Sequence, residues 1–586
     1  MEVIIRATNE TKFVLDAVIE AEKYMKERIN GAVSCSRDCD NNLPHEVVFG
    51  DTEREISVKA KKILEARLDE KTPSLIDSGI PKEDITGYLV YSDGESVAVV
   101  WRDFQIAEAA IKYFLENYVT EDGVRREAGE SLQCFSLMDY LTERDAKIRT
   151  EVWARLEAMI PEEYREEVMR ELRRLYSLYD SDKIVKWIAG LHDPVTGGWY
   201  ISESGRDHEG FLPSIEETYY ALTIMGHMGM AEMFEGQWNK AMPRDILEKI
   251  GNWIYSLQDP DGYFYLPQWP KEFIEKVKCQ IRITRDVGSA KSILKGIGIT
   301  PKYTEIVSAK AADDSSKSPL LAQYESVESF REYLAGLEKE AEPLTGTERA
   351  GKFYLYASYF QSTTQLMTEE MRRMACDFFD KHQNPENGMW SENLSYASTN
   401  AIHKICSIYN TFGRELRYAD KIVDSTIKIL NDMPNNLPHN SCEIYNVWSD
   451  FPYIYANIRK CSPGTPEEKE ERCRELKMRV FASVSGAIRA TYDQLLDFRI
   501  DNGSFSTFRG RAASGWGGCP YGVPNTKEGD FGGLLFATES MSHHILAALE
   551  LESAEPPYFT EKHRLMYIEA IRAAKPAVKK PNPNPQ

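Results

Sequence analysis

The chain has 586 residues, a length that favours two or more domains, or one large repetitive domain beside a small one. Its 42% hydrophobic and 28% charged residues are ordinary soluble composition, and no uninterrupted apolar run is long enough to span a bilayer, so a membrane protein is not expected. A formal charge of -21 repels phosphate backbones, which argues against nucleic acid as a partner and demands a local basic patch if any substrate is acidic.

The opening stretch "MEVIIRATNETKFVLDAVIE" lacks the basic end, apolar run and small-residue cleavage site of a secretory signal, so a cytoplasmic location is expected. Within it "EVIIRAT" predicts a strand, followed by the amphipathic helix "NETKFVLDAVIEAEKYMKERI". "HEVVFGD" predicts a second strand and "ISVKAKKILEARL" a second helix. "GYLVYSDGESVAVVW" predicts two strands around Asp93-Gly94, and "IAEAAIKYFLENY" a third helix. The ten cysteines have wide spacings without CxxC pairs, so neither disulfides nor structural zinc is expected, and the closest pair, Cys35 and Cys39, has no companion ligands. No metal and no other cofactor is expected.

This order of elements resembles the small α/β domain that precedes the catalytic domain in hexosaminidases, α-glucuronidases and related carbohydrate-active enzymes. The matching segments are "FVLDAVIEAEKYM", "VVFGDTER" and "GYLVYSDGESVAVVWRDFQIAEAAIKYFL". The resemblance implies an accessory domain over residues 1–125, without catalysis.

From 126 onward almost every apolar segment has helical period. Between the helices one phrase recurs: "WIAGLHDPVTGGWY" (187–200), "WIYSLQDPDGYFY" (253–265), "CDFFDKHQNPENGMW" (376–390) and "QLLDFRIDNGSFS" (494–506). Each ends a helix, turns through Asp or Asn and Gly, and places an aromatic at or shortly after the glycine, as a repeated supersecondary unit does. The repeat resembles the α/α toroids: six-hairpin glycosidases, toroidal polysaccharide lyases and the terpene cyclase group. "GGWYISESGRDHEGFLPSIEETYYAL" and "NGMWSENLSYASTNAIHKICSIY" carry the likeness. The expected fold is mainly α: an (α/α) toroid over 126–575 with an insertion around 282–321, a small N-terminal α/β domain, and a disordered tail over 576–586. "SPGTPEEKEERCRE" is expected to be a charged surface connection. The DxDD acid motif of protonation-driven cyclases is absent, and no Asp, Cys, His zinc set is spaced convincingly, so the first domain tilts the ring toward carbohydrate.

Hydrolysis of a glycoside needs one protonated carboxyl and one ionised carboxylate, whose pKa values burial and coupling can separate. The first repeated loop offers Asp207, Glu216 and Glu217, although Ser214 to Glu217 also fits a helix capping box. The partner carboxyl is sought among Glu392, Asp450, Glu528 and Asp530. Trp199, Tyr200, Trp390, Trp448 and Trp516 are candidate sugar platforms. Asn400 heads a polar stripe with Lys404, Ser407 and Thr411 at helical spacing. His439 and Tyr445, in the Asn-rich stretch 433–458, are the proton carriers an eliminating enzyme would use, with Arg509 or Arg511 on a uronate. Nine glycines between Asp501 and Gly533 suit either close approach to a ligand or a tight backbone crossing. The preferred function is a cytoplasmic glycoside hydrolase acting on an imported oligosaccharide or glycoside. The alternatives are a uronate-specific lyase and a non-catalytic carbohydrate-binding protein. Oligomeric state is left open.

Overall fold

The computed structural model describes residues 2–8, 10–38, 43, 45–277, 280–303, 319–432, 437–516 and 518–584, with a few further side chains, Trp516 among them, outside that description. The fold is mainly helical, with one small α/β sheet at the N-terminal end. Its contacts divide into two units, one of Met1–Thr150 with Gly229–Ala241 and Thr560–Lys562, the other of Glu151–Met228, Met242–Phe559 and His563–Gln586. Among the described residues no helix is long and apolar enough to cross a membrane.

In the first unit β1 (Glu2–Arg6), α1 (Lys12–Arg28), β2 (Val33–Arg37), β3 (Glu46–Phe49), α2 (Glu55–Asp77), β4 (Ile85–Ser92), β5 (Val97–Trp101) and α3 (Ala107–Tyr118) follow in order. A short hairpin, β6 (Val119–Thr120) and β7 (Gly123–Val124), leads to β8 (Gly129–Ser136) and α4 (Leu137–Met159). The six long strands lie in the order β2-β1-β3-β5-β4-β8, parallel through β5 and antiparallel from β4. Period-two alternation sorts the side chains. Val3, Ile5, Val48, Ala98 and Val100 pack on Ala60, Leu64 and Leu68 of α2, while Phe49, on the other face, meets Phe114 of α3 edge-on at 5.6 Å. The expected boundary at 125 moves to 150 because β8, an edge strand with one half-exposed face, pairs with β4 along its whole length.

The second unit contains α5 (Glu162–Tyr176), α6 (Ser181–Gly190), α7 (Glu203–Asp207), α8 (Ile215–His227), α10 (Arg244–Ser256), α11 (Lys271–Val277) and α12 (Gln280–Ile297), whereas α9 (Trp238–Ala241) belongs to the first. It continues through α13 (Val327–Ala341), α14 (Gly346–Ser362), α15 (Glu369–His382), α16 (Tyr396–Thr399), α17 (Ile402–Phe412), α18 (Ala419–Asn431) and α19 (Ser441–Cys461). It ends with α20 (Pro466–Leu495), the two-residue strands β9 (Gly515–Trp516) and β10 (Cys519–Pro520), α21 (Phe531–Ala537), α22 (Glu539–Ala548) and α23 (Glu561–Ala573). Alternate helices pack on one another: α8 on α12, α14 on α17, α17 on α19, α19 on α21 and α22, and α21 back on α8. α13 packs on α15 and α18 on α20, and this set joins the first where α15 meets α17 and where α18 and α20 meet α19.

The four repeated phrases fold alike. Gly197, Gly262, Gly388 and Gly503 all take a left-handed φ, between 76° and 89°. The residue that begins each turn donates its amide across it: Asp193 to Gly198 at 2.8 Å, Asp259 to Tyr263 at 2.9 Å, Asn384 to Met389 at 2.7 Å and Ile500 to Ser504 at 2.8 Å. A β-carbon on Gly197 would lie 3.1 Å from Ile250 of α10, and one on Gly388 would lie 2.7 Å from Ile422 of α18. The aromatics that follow, Trp199, Phe264, Trp390 and Phe505, are all buried. They plug the helix ends from within and do not line a rim.

Three further expectations change. "SPGTPEEKEERCRE" is mostly the start of α20, where Thr465 and Glu468 form a capping box with Pro466 in the first turn. The region expected as an insertion opens with α12, which packs on α8 and α10, while 304–318 lie outside the described residues. The tail expected to be disordered lies along the Asp207 loop: Lys580 donates its amide to Asp207 at 2.7 Å and accepts that of Glu209 at 2.9 Å.

Candidate functional site

The buried ionisable groups of the second unit concentrate where α8 meets α12. Glu216 and Glu217 occupy the first turn of α8, where the helix dipole favours acids. Arg282, Arg285 and Asp286, three and four residues apart, share one face of α12. Arg282 binds Asp286 through two bonds, Nη2 to Oδ1 at 2.7 Å and Nε to Oδ2 at 2.9 Å, and donates to Glu216 Oε2 at 2.8 Å. Glu216 Oε1 accepts the Tyr220 hydroxyl at 2.8 Å and faces Arg285 at 3.3 Å. Glu216, Glu217, Arg282 and Asp286 are buried, whereas Arg285 keeps 41% of its side chain accessible.

Three carboxyls thus share two guanidiniums, and the unequal division separates their pKa values. Burial pushes Glu216 upward, but Arg282, Arg285 and Tyr220 outweigh it and hold the carboxyl below its usual range. Burial lifts Asp286 to about 6 against the pull of Arg282. Glu217 has no ion pair among the described residues, and burial together with the adjacent Glu216 charge raises it to about 8 against the pull of Arg282. It carries a proton near neutral pH while Glu216 is ionised.

Glu217 also belongs to a patch of unmet hydrogen-bonding capacity. Glu217 Oε2, Arg282 Nη1, the Tyr521 hydroxyl and the Trp269 indole N–H are all buried with no hydrogen-bond partner among the described residues. Arg282 lies 5.4 Å from the centroid of the Tyr521 ring, which meets Trp269 edge-on at 4.8 Å. The expected capping box does not form here, because Ser214 makes no side-chain cap.

The other candidates fall into place around this cluster. Asp530 is fully buried and spends its carboxylate on four bonds, from the amides of Thr507, Ala513 and Gly533 and the Thr507 hydroxyl, at 2.7–2.9 Å. Glu528 accepts from Ser202, from the Ser204 amide at 2.8 Å and from the Ser204 hydroxyl. Both acids tie the glycine-rich loop down. A β-carbon on Gly533 would stand 2.2 Å from the Ser506 backbone, so that glycine serves a tight crossing. Asp450 is fully buried on α19 with only the His403 amide to favour its charge, so burial drives its pKa well up. Glu392 is exposed and accepts the Gly346 amide at 2.9 Å. Glu528 and Asp530 tie a loop, Asp450 lies in the core beside α17, Glu392 lies on the surface, and none is bonded to the Glu216–Arg282–Asp286 cluster.

The proposed sugar platforms are corrected in the same way. Trp199 and Trp390 plug the repeated turns, Trp390 donating to the Phe379 carbonyl at 2.9 Å, and Trp448 is a core residue bonded to Thr491 at 3.0 Å. The Trp516 side chain lies outside the described residues. Arg509 pairs with Asp497 at 3.2 Å and the exposed Arg511 with Asn525 at 3.3 Å, so neither is drawn to the acids of α8. His439 is exposed ahead of α19, with its amide on Glu443 at 2.7 Å, while Tyr445 is half-buried and stacked on Phe536 and His544. Asn400 accepts from Asn446 at 3.0 Å, and the stripe it heads, with Lys404 and Ser407 half-buried, faces α14 and α19.

A surface cavity of about 400 Å³ brings Asp207 and Tyr200 together with His192, Arg206 and the C-terminal tail. Its chemistry is unsuited to proton donation: Arg206 holds Asp207 below its usual range, and burial lowers His192 to about 4. Lys579 of the tail covers the Tyr200 ring at 4.6 Å. The α8–α12 cluster is the better site on electrostatic grounds. Of its members, Arg282, Arg285, Asp286, Tyr220 and Trp269 escaped sequence reasoning; the Arg282–Asp286 spacing of four was a helix-pair signal in a segment read as an insertion.

Compared with protein-family models, curated proteins and solved structures, the chain matches none.

Proposed function

We propose that the second unit is an (α/α) toroid and that the chain is a glycoside hydrolase with its proton donor at Glu217. The order of helix packing, with α21 returning to α8, and the four turns built alike on a left-handed glycine support the ring. The observation that carries the chemistry is the separated carboxyl pair, Glu217 protonated near neutral pH beside the ionised Glu216. A hydrolase needs one group of each kind, a donor for the leaving oxygen and an anion to activate water or meet the positive charge that develops on the sugar. Arg282, Arg285 and Tyr220 keep Glu216 anionic, and the unpartnered Tyr521 hydroxyl and Trp269 indole supply donors for sugar oxygens. The first unit has no catalytic part in this reading, and the expected substrate is an imported oligosaccharide or glycoside.

Elimination is the second reading, favoured by Arg285, which keeps 41% of its side chain accessible beside Glu216, since a lyase must neutralise a uronate. Tyr445 would then move the proton. Incubation of the purified protein with neutral and uronic oligosaccharides, followed by product mass and ultraviolet absorbance, separates the readings. Products heavier by water, without new absorbance and lost in Glu217→Gln by about 100-fold or more, support hydrolysis. Water-free cleavage with new absorbance supports elimination. Sugar binding without turnover, indifferent to Glu217→Gln, leaves a carbohydrate-binding protein.

A further inference from the structure

The surface cavity of about 400 Å³ beside the first repeated turn does not suit proton transfer, but its walls suit binding. Its volume falls in the range of small-molecule pockets, roughly 300–1,000 Å³. Tyr200 lines it with only 5% of its surface exposed, and the Tyr200 hydroxyl makes no hydrogen bond with any described residue. His192, 7% exposed, lines it as well, and neither of its ring nitrogens has a partner among the described residues. Burial keeps this ring neutral at pH 7, so it offers one N–H donor and one acceptor. Ala189 of α6 and Ala570 and Ala573 of α23 form an apolar side whose small side chains leave the space open.

The charges around the cavity are unequally committed. Arg206 binds Asp207 through two bonds, at 2.6 and 3.1 Å, and donates to the Gly190 carbonyl at 2.8 Å. Asp193 accepts from the amides of Val195 and Thr196 and from the Thr196 hydroxyl, so its carboxylate belongs to the turn. Lys186 and Lys575 also line the cavity, are exposed, and make no hydrogen bond or ion pair with any described residue. Two ammoniums are therefore left for a ligand. Ala577 and Val578 of the C-terminal tail close the last side. Lys579 pins the tail there, donating to the Phe211 carbonyl at 2.6 Å and the His208 carbonyl at 3.3 Å, with its ammonium 4.6 Å from the centre of the Tyr200 ring.

We propose that this cavity binds a small hydroxylated carboxylic acid, with the carboxylate met by Lys186 and Lys575, a hydroxyl by Tyr200 and His192, and the C-terminal tail strapped across the site. Bonds from an ammonium to a carboxylate are roughly twice as strong as neutral ones, and the alanine side accepts the carbon skeleton. The two lysines supply the local positive charge that a chain of net charge -21 needs before it can hold an acidic molecule. The proposal is independent of the glycoside hydrolase reading, because no residue of the cavity belongs to the α8–α12 cluster.

The test is calorimetric titration of the full-length protein with malate, citrate and gluconate, beside succinate, which lacks the hydroxyl, and xylitol, which lacks the carboxylate. At least one of the hydroxy acids is expected to bind with a Kd below about 1 mM, and xylitol about tenfold or more weakly. Malate should bind about threefold or more tightly than succinate, and Tyr200→Phe should reduce that preference. Replacing both lysines, Lys186→Met with Lys575→Met, should weaken the bound acid about tenfold or more. Ala573→Trp, at an exposed position that tolerates the larger side chain, should fill the cavity and abolish binding. Failure of every hydroxy acid to bind, equal binding of xylitol, no preference for malate over succinate, or binding that survives both the paired lysine substitution and Ala573→Trp overturns the proposal.

Discussion

Glu217 holds in the folded chain a proton that an ordinary carboxyl would release. Its carboxyl has an ordinary value of 4.5 in the unfolded chain and about 8 in the folded one. Between those values the native state keeps a proton that the unfolded state has released, so stability falls as pH rises through the window and changes no further above it. Glu217→Gln cannot ionise and lacks this slope. Its melting temperature, relative to the wild type, should therefore climb between about pH 5 and about pH 8; a constant difference would mean that the carboxyl is not protonated at neutrality. Gly388 makes a steric argument at a single position. With φ at 76° and Ile422 2.7 Å from where a β-carbon would stand, Gly388→Ala should lower stability by about 1–3 kcal/mol in urea unfolding. These two residues were legible to different degrees. The glycine announces itself by recurring at the same place in four turns, but the sequence around Glu217 reads equally as a capping box, and only burial beside Glu216 decides between them.

The pairing of α8 with α12 depends on Arg282, which holds acids from both helices. Arg282→Met removes the only buried cation between Glu216 and Asp286 among the described residues and should cost about 3–5 kcal/mol of unfolding free energy, since Asp286 loses both its bonds and Glu216 keeps only Arg285 and Tyr220. Adding Asp286→Asn should recover part of that loss. A double variant as unstable as the single one would show that the clamp is not what destabilises. The tail makes a second contact of this kind, one strand-like pairing against the loop that follows α7. Deleting 576–586 should speed hydrogen exchange at the Glu209 amide, whose acceptor is the Lys580 carbonyl, and leave the α8 amides unchanged. The helices themselves were largely readable, from period and caps. The exception, α20, carried its own start signal in Thr465, Pro466 and Glu468, which the density of charge behind it obscured.

The charge of the whole chain acts on any ligand before contact. A net -21 repels an acidic molecule at a distance and leaves a neutral one indifferent. Salt screens that repulsion beyond roughly 8 Å at 0.15 M ionic strength. The association rate of an acidic sugar should therefore rise as salt is raised from low to physiological levels, with a neutral sugar unaffected, in stopped-flow measurements. A rate that falls instead would show that a local basic patch outweighs the net charge.

Hydrophobic period, turn chemistry and composition determined that this chain builds a small α/β unit followed by a long run of helices with recurrent glycine turns. Those properties are local, set within a few residues by backbone sterics and by the faces that must be buried. The partners of each acid could not be local. Glu216 meets Arg282 across 66 residues, Asp530 meets Thr507 across 23, and the tail meets the Asp207 loop from the far end of the chain. Whether a carboxyl donates a proton, ties a loop or lies on the surface depends on those distant contacts and on the loss of water around them. For that reason Glu217 was separated from Asp450, Glu528, Asp530 and Glu392 by the tertiary structure alone.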